Sequence, residues 1–213
     1  YNEESGPSIA SLRLPIKETP SLPSELTDTS LWVDVTNYDG KGPYYIPWHP
    51  KDKPHYSDFS PLFQKAIDWM NSDKNTVGKK VLYFPNGGYS FQSGKVKVYG
   101  RVQRILFNNA YIKIRGGLGD QKVPWLLMEG LNYNLFIEQL MTSAGGKKNN
   151  WVIENRSEKD LILRNVFIGS GKAYVNNGAM GHLFIEDVCA LSNHYYGGAV
   201  PGTAPQFEFG NQK

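Results

Sequence analysis

Residues 125–140 read WLLMEGLNYNLFIEQL, and two later stretches, 151–166 (WVIENRSEKDLILRNV) and 173–188 (AYVNNGAMGHLFIEDV), align with them without gaps. Each stretch contains two short apolar strands whose starts lie ten residues apart, and the stretches recur at intervals of 26 and 22 residues. A repeat of this length made of strands is typical of a solenoid, in which each repeat stacks on the one before. The repeat therefore predicts an all-β fold, a right-handed parallel β-helix with turns of about 22–26 residues.

The second strand of each repeat also predicts where the chain bends. Strand alternation places six apolar residues inward: Leu135, Leu161, Leu183, Ile137, Leu163 and Ile185. The next inward residue of each strand is displaced by one position, so a bend is expected at Gln139, Asn165 and Asp187. Asn and Asp suit such a bend because they tolerate unusual backbone angles. Stacked turns would align the three side chains roughly 4.8 Å apart, and we favour this structural role over a catalytic one.

The chain divides into an N-terminal arm, residues 1–30, and a β-helix domain, residues 31–213. Four prolines interrupt the arm, and proline blocks both regular helix and central strand. Residues 205–213 (PQFEFGNQK) resemble the first strand of a fourth repeat without its second strand. We therefore expect the chain to stop inside a turn, either as a fragment of a longer β-helix or with its end covered by another chain.

One α-helix is predicted, at residues 60–70 (SPLFQKAIDWM). Ser60 is the expected N-cap, and Pro61 occupies the first helical position. The expected apolar stripe consists of Leu62, Ala66, Trp69 and Met70, with Phe63 and Ile67 beside it.

The stretch 31–91 resembles the entry segment of the pectate-lyase-like β-helix superfamily. The matching pieces are 35–42 (VTNYDGKG), 62–68 (LFQKAID) and 81–89 (VLYFPNGGY), in the order strand, helix, strand. The resemblance implies that the helix caps the N-terminal end of the solenoid. The superfamily includes polysaccharide lyases, glycoside hydrolases, epimerases and phage tailspikes. The loop at 43–57 departs from the family pattern, and the polygalacturonase signatures Asn-Thr-Asp and Gly-His-Gly are absent.

The same strand register predicts two outward columns. Phe136, Ile162 and Phe184 form an apolar column that should be covered by the arm, a loop, a second domain or a second copy of the protein, unless neighbouring side chains shield it. Glu138, Arg164 and Glu186 form a charged column. We favour a surface ion-pair ladder for these three residues. The alternative is a groove in which Arg164 binds an acidic sugar while a carboxylate acts in acid/base catalysis.

Aromatic residues in two long loops are the predicted substrate-binding residues. Tyr44, Tyr45, Trp48 and Tyr56 lie in the first loop, and His194, Tyr195 and Tyr196 lie in the second. Aromatic faces stack on sugar rings, and loops on a rigid scaffold commonly carry binding sites. The alternative is that the aromatics pack inward and anchor the loops.

Bulk properties exclude several other classes. The net charge is only +3 and no run exceeds two basic residues, so we expect no nucleic-acid partner. The four histidines lack metal-ligand spacing, so neither a metal nor another cofactor is expected. No apolar segment approaches the roughly 20 residues of a membrane span.

The expected function is that of a carbohydrate-active protein acting on a polysaccharide or oligosaccharide as a glycoside hydrolase or polysaccharide lyase. Its catalytic site could lie partly or wholly outside this segment. The alternative is a non-catalytic β-helix module that binds glycan or serves as an adhesive, tailspike-like scaffold. In either case we expect a secreted, periplasmic or cell-surface location.

Overall fold

The structure, a computed structural model, describes residues 17–49, 57–114, 124–144, 151–169, 172–190 and 207–209. It contains one α-helix, α1 (Ser60–Asn71), and two 3-10 turns (Ser24–Thr27 and Thr29–Leu31). The strands are β1 (Trp32–Asp34), β2 (Val81–Phe84), β3 (Gly87–Phe91), β4 (Val96–Gly100), β5 (Arg104–Phe107), β6 (Ala110–Ile114), β7 (Leu126–Leu131), β8 (Leu135–Glu138), β9 (Met141–Ala144), β10 (Trp151–Asn155), β11 (Leu161–Ile168), β12 (Lys172–Asn176), β13 (Leu183–Ala190) and β14 (Phe207–Phe209).

These strands stack in parallel and form a β-solenoid, which confirms the predicted fold class. Face 1 consists of β1, β2, β5, β8 and the first halves of β11 and β13. Face 2 consists of β3, β6, β9 and the second halves of β11 and β13. Face 3 consists of β4, β7, β10, β12 and β14. Its strand β14 pairs with β12, as predicted for a fourth repeat.

The chain turns from face 1 to face 2 at the predicted bends. Gln139, Asn165 and Asp187 have φ values of 59°, 51° and 51°, in the left-handed region that L side chains rarely adopt. Asn109, at the junction of β5 and β6, has a φ of 50° and makes the same bend one turn earlier. The predicted bends are confirmed, and Asn109 extends the series.

The gapless alignment of the three repeats is wrong by one residue in β10. Ile153 pairs with Leu126 on one side and with Tyr174 on the other, where the alignment would place Val152. Measured between paired residues, Ile153 precedes Leu161 by eight positions, whereas Leu126 precedes Leu135 and Tyr174 precedes Leu183 by nine. Because a slip of one residue turns a side chain to the other side of the sheet, Ile153 points inward and Glu154 points outward.

The interior follows the predicted alternation except in its last turn, where Leu183 is only partly buried and Ile185 is exposed. Leu135, Ile137, Leu161 and Leu163 are fully buried in the core. Ile185 keeps the register of Leu163, yet 47 % of it is exposed. Within the described residues, β13 pairs only with β11, so nothing stacks on Ile185 from the other side.

Helix α1 packs into the same core as β1, β2 and β3 and begins at Ser60 as predicted, but its N-cap residue and its buried side differ from the prediction. The buried stripe consists of Phe63, Ala66, Ile67 and Met70, and Leu62 and Trp69 are only partly buried. Ala66 and Met70 were correctly predicted to lie at the centre of the buried side, but Phe63 and Ile67 take the central positions predicted for Leu62 and Trp69. The buried set has the spacing i, i+3, i+4, i+7 of a single helix face.

The N-cap position is Phe59 rather than Ser60, and the side chain of Asp58 just before it binds the start of the helix. Its Oδ1 accepts hydrogen bonds from the Ser60 backbone N–H at 3.0 Å and from the Ser60 hydroxyl at 2.7 Å. The same carboxylate accepts from the backbone N–H groups of Gln92 and Ser93 and from the Ser93 hydroxyl, which ties the helix start to the end of β3. Partial burial raises the pKa of Asp58, but hydrogen bonds from Ser93, Ser60 and Gln92 lower it further, so the net pKa is below its usual value.

Candidate functional site

The predicted charged column on face 1 is an ion-pair ladder. Arg164 Nε lies 2.5 Å from Glu186 Oε2, and Arg164 Nη1 lies 3.9 Å from Glu138 Oε1. Arg104, which the sequence did not reveal, extends the ladder by placing its Nε 2.5 Å from Glu138 Oε2. The Arg104 and Glu138 side chains are only 10 % and 12 % exposed. The favoured interpretation of this column, an ion-pair ladder, is therefore the arrangement observed.

The described part of the N-terminal arm, residues 17–30, lies over this ladder, and we call it the N-terminal segment. Arg104 Nη1 donates to the carbonyl oxygen of Leu26 at 2.9 Å, and Arg164 Nη2 donates to that of Pro20 at 2.8 Å. These bonds use guanidinium donors that a sugar carboxylate would otherwise need. The geometry of Glu138, Arg164 and Glu186 therefore favours a binding surface for residues 20–26 over an acid/base site.

The apolar column on face 1 is covered by the chain itself. Phe136, Ile162 and Phe184 are 2 %, 0 % and 9 % exposed, and they cluster with Leu26, Leu22 and other side chains of face 1. The prediction that this apolar column is covered is confirmed, and the covering element is the N-terminal segment. Because this chain already buries the described column, the structure gives no support to a second domain or a second copy as its cover.

Two of the predicted loop aromatics anchor their loop. Tyr45 stacks on Tyr89 with a ring-centroid distance of 5.6 Å and contacts Phe59 at 4.6 Å. Trp48 forms an antiparallel bridge with Gly88, and its indole lies where a Gly88 side chain would be. With 9 % and 5 % exposure, Tyr45 and Trp48 cannot present a ring face to a substrate. Their burial matches the alternative stated for these aromatics, in which they pack inward and anchor the loop.

Tyr44 is the predicted aromatic that remains accessible, with 44 % of its surface exposed. Its ring stacks on Tyr38 with a centroid distance of 5.2 Å, and Tyr38 in turn lies 6.5 Å from the ring of Trp69 on α1. Its hydroxyl donates to Asp39 Oδ1 at 2.8 Å. That hydrogen bond raises the pKa of Tyr44 to about 12. We call Tyr38, Asp39, Tyr44 and Trp69 the tyrosine platform.

Four further predicted substrate-binding residues, Tyr56, His194, Tyr195 and Tyr196, lie outside the described residues. Residues 191–206 and 210–213, on which the prediction about the end of the solenoid depends, are also outside them.

Face 3 carries a charged cluster that the sequence did not reveal. Lys97 Nζ lies 2.8 Å from Glu129 Oε2, and Arg156 contacts Glu129 at 3.9 Å and Glu154 Oε1 at 2.6 Å. Asn177 donates to the same Glu154 oxygen at 2.8 Å. The hydrogen bond and charge of Lys97 hold the pKa of Glu129 below its usual value. Only the corrected register of β10 places Glu154 outward beside Arg156, so the gapless alignment concealed the cluster.

Face 2 carries an exposed apolar column. Tyr111, Met141 and Phe167 follow one another in register on β6, β9 and β11, and Met141 and Phe167 are 50 % and 37 % exposed. The Tyr111 hydroxyl lies 2.5 Å from the Ser143 hydroxyl. Trp48 contacts the edge of Tyr111, so the anchored loop covers one end of this column.

In the part of the chain that the structure describes, no three His, Cys, Asp or Glu side chains are grouped so as to hold a metal ion. The same residues include no helix with the length and apolarity that a bilayer crossing requires. Comparison with models of protein families, with curated proteins and with solved structures finds no match to this chain.

Proposed function

We propose that this protein is a carbohydrate-active β-helix protein of the pectate-lyase-like superfamily and that its described part binds a polysaccharide. The single observation that supports this best is the tyrosine platform, in which the exposed Tyr44 ring stacks on the partly buried Tyr38 near α1. The sequence resemblance in residues 31–91 supports the choice of superfamily, and export to the periplasm, cell surface or medium is part of the proposal.

The platform is held in place before any ligand arrives. Tyr44 is fixed on one side by stacking on Tyr38 and at its hydroxyl by Asp39. Fixing a binding side chain in advance reduces the entropy lost when ligand binds. The platform also places a carboxylate and a phenol beside the ring face, and sugar hydroxyls need such polar partners as well as an apolar surface.

Six of the described carboxyl groups are poorly suited to act as the general acid of a glycoside hydrolase. A glycoside hydrolase needs a general acid whose pKa is raised, so that it carries a proton near neutral pH. Desolvation, where it acts, raises the pKa of the shifted carboxyl groups, but hydrogen bonds and nearby cations lower it more. The net pKa is therefore lowered for Asp28, Asp39, Asp58, Glu129, Asp160 and Glu186. If the protein also cleaves its ligand, a carboxyl group outside this set must act as the acid.

Affinity electrophoresis against a panel of neutral and acidic polysaccharides tests the proposal. Tyr44→Ala removes the exposed ring, and Tyr133→Ala removes a tyrosine of 50 % exposure away from the platform as a matched control. We expect Tyr44→Ala to weaken binding about tenfold, as for a typical aromatic hot spot, and Tyr133→Ala to bind as the parent does.

Retardation by no polysaccharide, or equal retardation of both variants and the parent, would contradict the proposal. The same samples assayed for new reducing ends and for the ultraviolet absorbance of unsaturated products separate three activities. Binding without either product signal indicates a binding module. New reducing ends without the ultraviolet absorbance indicate a hydrolase, and new reducing ends together with the absorbance indicate a lyase.

A further inference from the structure

The N-terminal segment is attached to the far end of face 1 by Lys17. Its ammonium lies 3.0 Å from Asp160 Oδ2 and 3.0 Å from His182 Nδ1, and it lies 5.7 Å from the centre of the Phe184 ring. The Lys17 and His182 side chains are 49 % and 60 % exposed, whereas that of Asp160 is 12 % exposed. Lys17 therefore holds the segment over the last position of the apolar column through two polar contacts at the surface.

The two neighbours of His182 Nδ1 require opposite roles from that nitrogen. Beside the Lys17 ammonium, which only donates, Nδ1 must accept a hydrogen bond. Beside Asp160 Oδ1, at 3.1 Å, Nδ1 must carry a proton and donate. In the neutral ring one tautomer satisfies Lys17, and Asp160 Oδ1 is still served by the His182 backbone N–H at 2.9 Å. In the protonated ring both nitrogens donate, so the contact with Lys17 is lost.

We propose that His182 is a pH-dependent latch for the N-terminal segment. The neutral ring accepts from Lys17 and holds the segment closed, whereas the protonated ring donates to Asp160 and repels the ammonium 3.0 Å away. Protonation thus removes one of the two polar contacts of Lys17 and leaves only the Asp160 carboxylate to hold residues 17 and 18 at the Phe184 end of face 1. The loosening stops at Thr19, which hydrogen-bonds to Glu186, and at Pro20, whose carbonyl accepts from Arg164.

The other charged groups that face this site do not change charge in the range where a histidine ordinarily titrates, about pH 5 to 8. Burial raises the pKa of Asp160, but hydrogen bonds from the His182 backbone and from Lys17 lower it more, so this carboxylate stays ionised. The hydrogen bond from Arg164 holds the pKa of Glu186 below its usual value. Glu18 and Lys159 are the charged neighbours in sequence of Lys17 and Asp160.

Limited proteolysis tests the latch, with a glutamate-specific endoproteinase that cuts after Glu18 and mass spectrometry to identify the cut. His182→Gln offers an uncharged acceptor at all pH values, and His182→Lys offers a permanent positive charge. The rate of cutting in the parent is divided by the rate in His182→Gln at each pH, which removes the pH dependence of the protease itself. We expect this ratio to rise about three- to fivefold between pH 8 and pH 5, the range expected for exposed charges.

The ratio of His182→Lys to His182→Gln should be high at both pH values. Since His182 is exposed, both variants should fold, and equal urea midpoints at pH 8 would verify this. A parent ratio that stays flat from pH 8 to pH 5 would overturn the proposal. Equal cutting of the lysine and glutamine variants would overturn it as well, because a permanent charge would then have no effect on the segment.

Discussion

Replacing Leu26 by alanine should destabilise the protein by about 2–3 kcal/mol. Leu26 is fully buried although it belongs to a 3-10 turn in the N-terminal segment, and it packs with Val81, Leu106 and Phe136 of face 1. Truncating a buried leucine to alanine costs about 3–5 kcal/mol when the cavity persists. We place Leu26→Ala at or just below the low end because the covering segment can partly settle into the cavity. The Leu26 carbonyl keeps its bonds to Arg104 and Trp32, since both involve the backbone.

Urea unfolding followed by circular dichroism measures this loss. With a slope of about 3 kcal/mol per molar urea, the midpoint should fall by about 0.7–1 M. Met180→Ala is the control, because it removes a side chain of similar size that is 71 % exposed and should shift the midpoint little. If Leu26→Ala shifted the midpoint no more than Met180→Ala, the N-terminal segment would not be an integral cover of face 1.

Three further changes probe the cap, the loop and the bends. Asp58→Ala should lower the free energy of unfolding by about 1–3 kcal/mol at pH 7. Because the pKa of Asp58 is lowered in the folded state, this loss should shrink as pH falls below about 4. Urea midpoints measured at several pH values would show the change. Gly88→Ala should displace the Trp48 indole and shift tryptophan fluorescence to longer wavelength, and an unchanged spectrum would contradict the packing. Asn165 has a φ of 51°, which alanine adopts less readily than glycine. Asn165→Ala should therefore lower the free energy of unfolding by about 1 kcal/mol and Asn165→Gly by less. Equal thermal midpoints for the two variants would argue against a strained bend.

The repeat and its bends could be predicted because they depend on local rules. The apolar residue displaced by one position marks Gln139, Asn165 and Asp187 as bends, and each has a positive φ. The equivalent bend at Asn109 was missed because residues 104–114 do not resemble the three repeats in sequence. A bend is defined by backbone geometry, which different sequences can satisfy.

The register of β10 could not be predicted because the sequence similarity and the hydrogen-bonding pattern disagree there. Aligning Trp125 with Trp151 gives the best match of residue types, but strand pairing sets Ile153 opposite Leu126. Both Val152 and Ile153 are apolar and buried, so the pattern of hydrophobic residues does not distinguish the two registers. The error hid the outward position of Glu154 and with it the charged cluster on face 3.

Exposure of the loop aromatics was equally inaccessible to sequence reasoning. Tyr44 and Tyr45 are neighbours in a proline-rich loop, yet one is 44 % exposed and the other 9 %. The difference is set by contacts with Tyr89 and Phe59, which lie 44 and 14 residues away along the chain. A candidate binding residue in such a loop can be identified by type, but its role depends on contacts made after folding.

The two arginines of face 1 are best understood through the segment that covers them. A buried ion pair alone is weak grounds for stability, because desolvation offsets much of the attraction. Arg104 and Arg164 each bind a glutamate and also donate to a backbone carbonyl of the N-terminal segment. The Leu26 carbonyl, in a 3-10 turn, also accepts from Trp32 Nε1, and a covered carbonyl that lacks a donor would carry a desolvation penalty. A guanidinium has enough N–H donors to bind a carboxylate and a carbonyl at once, which explains why arginine occupies both positions. The charged column therefore binds the backbone of the N-terminal segment.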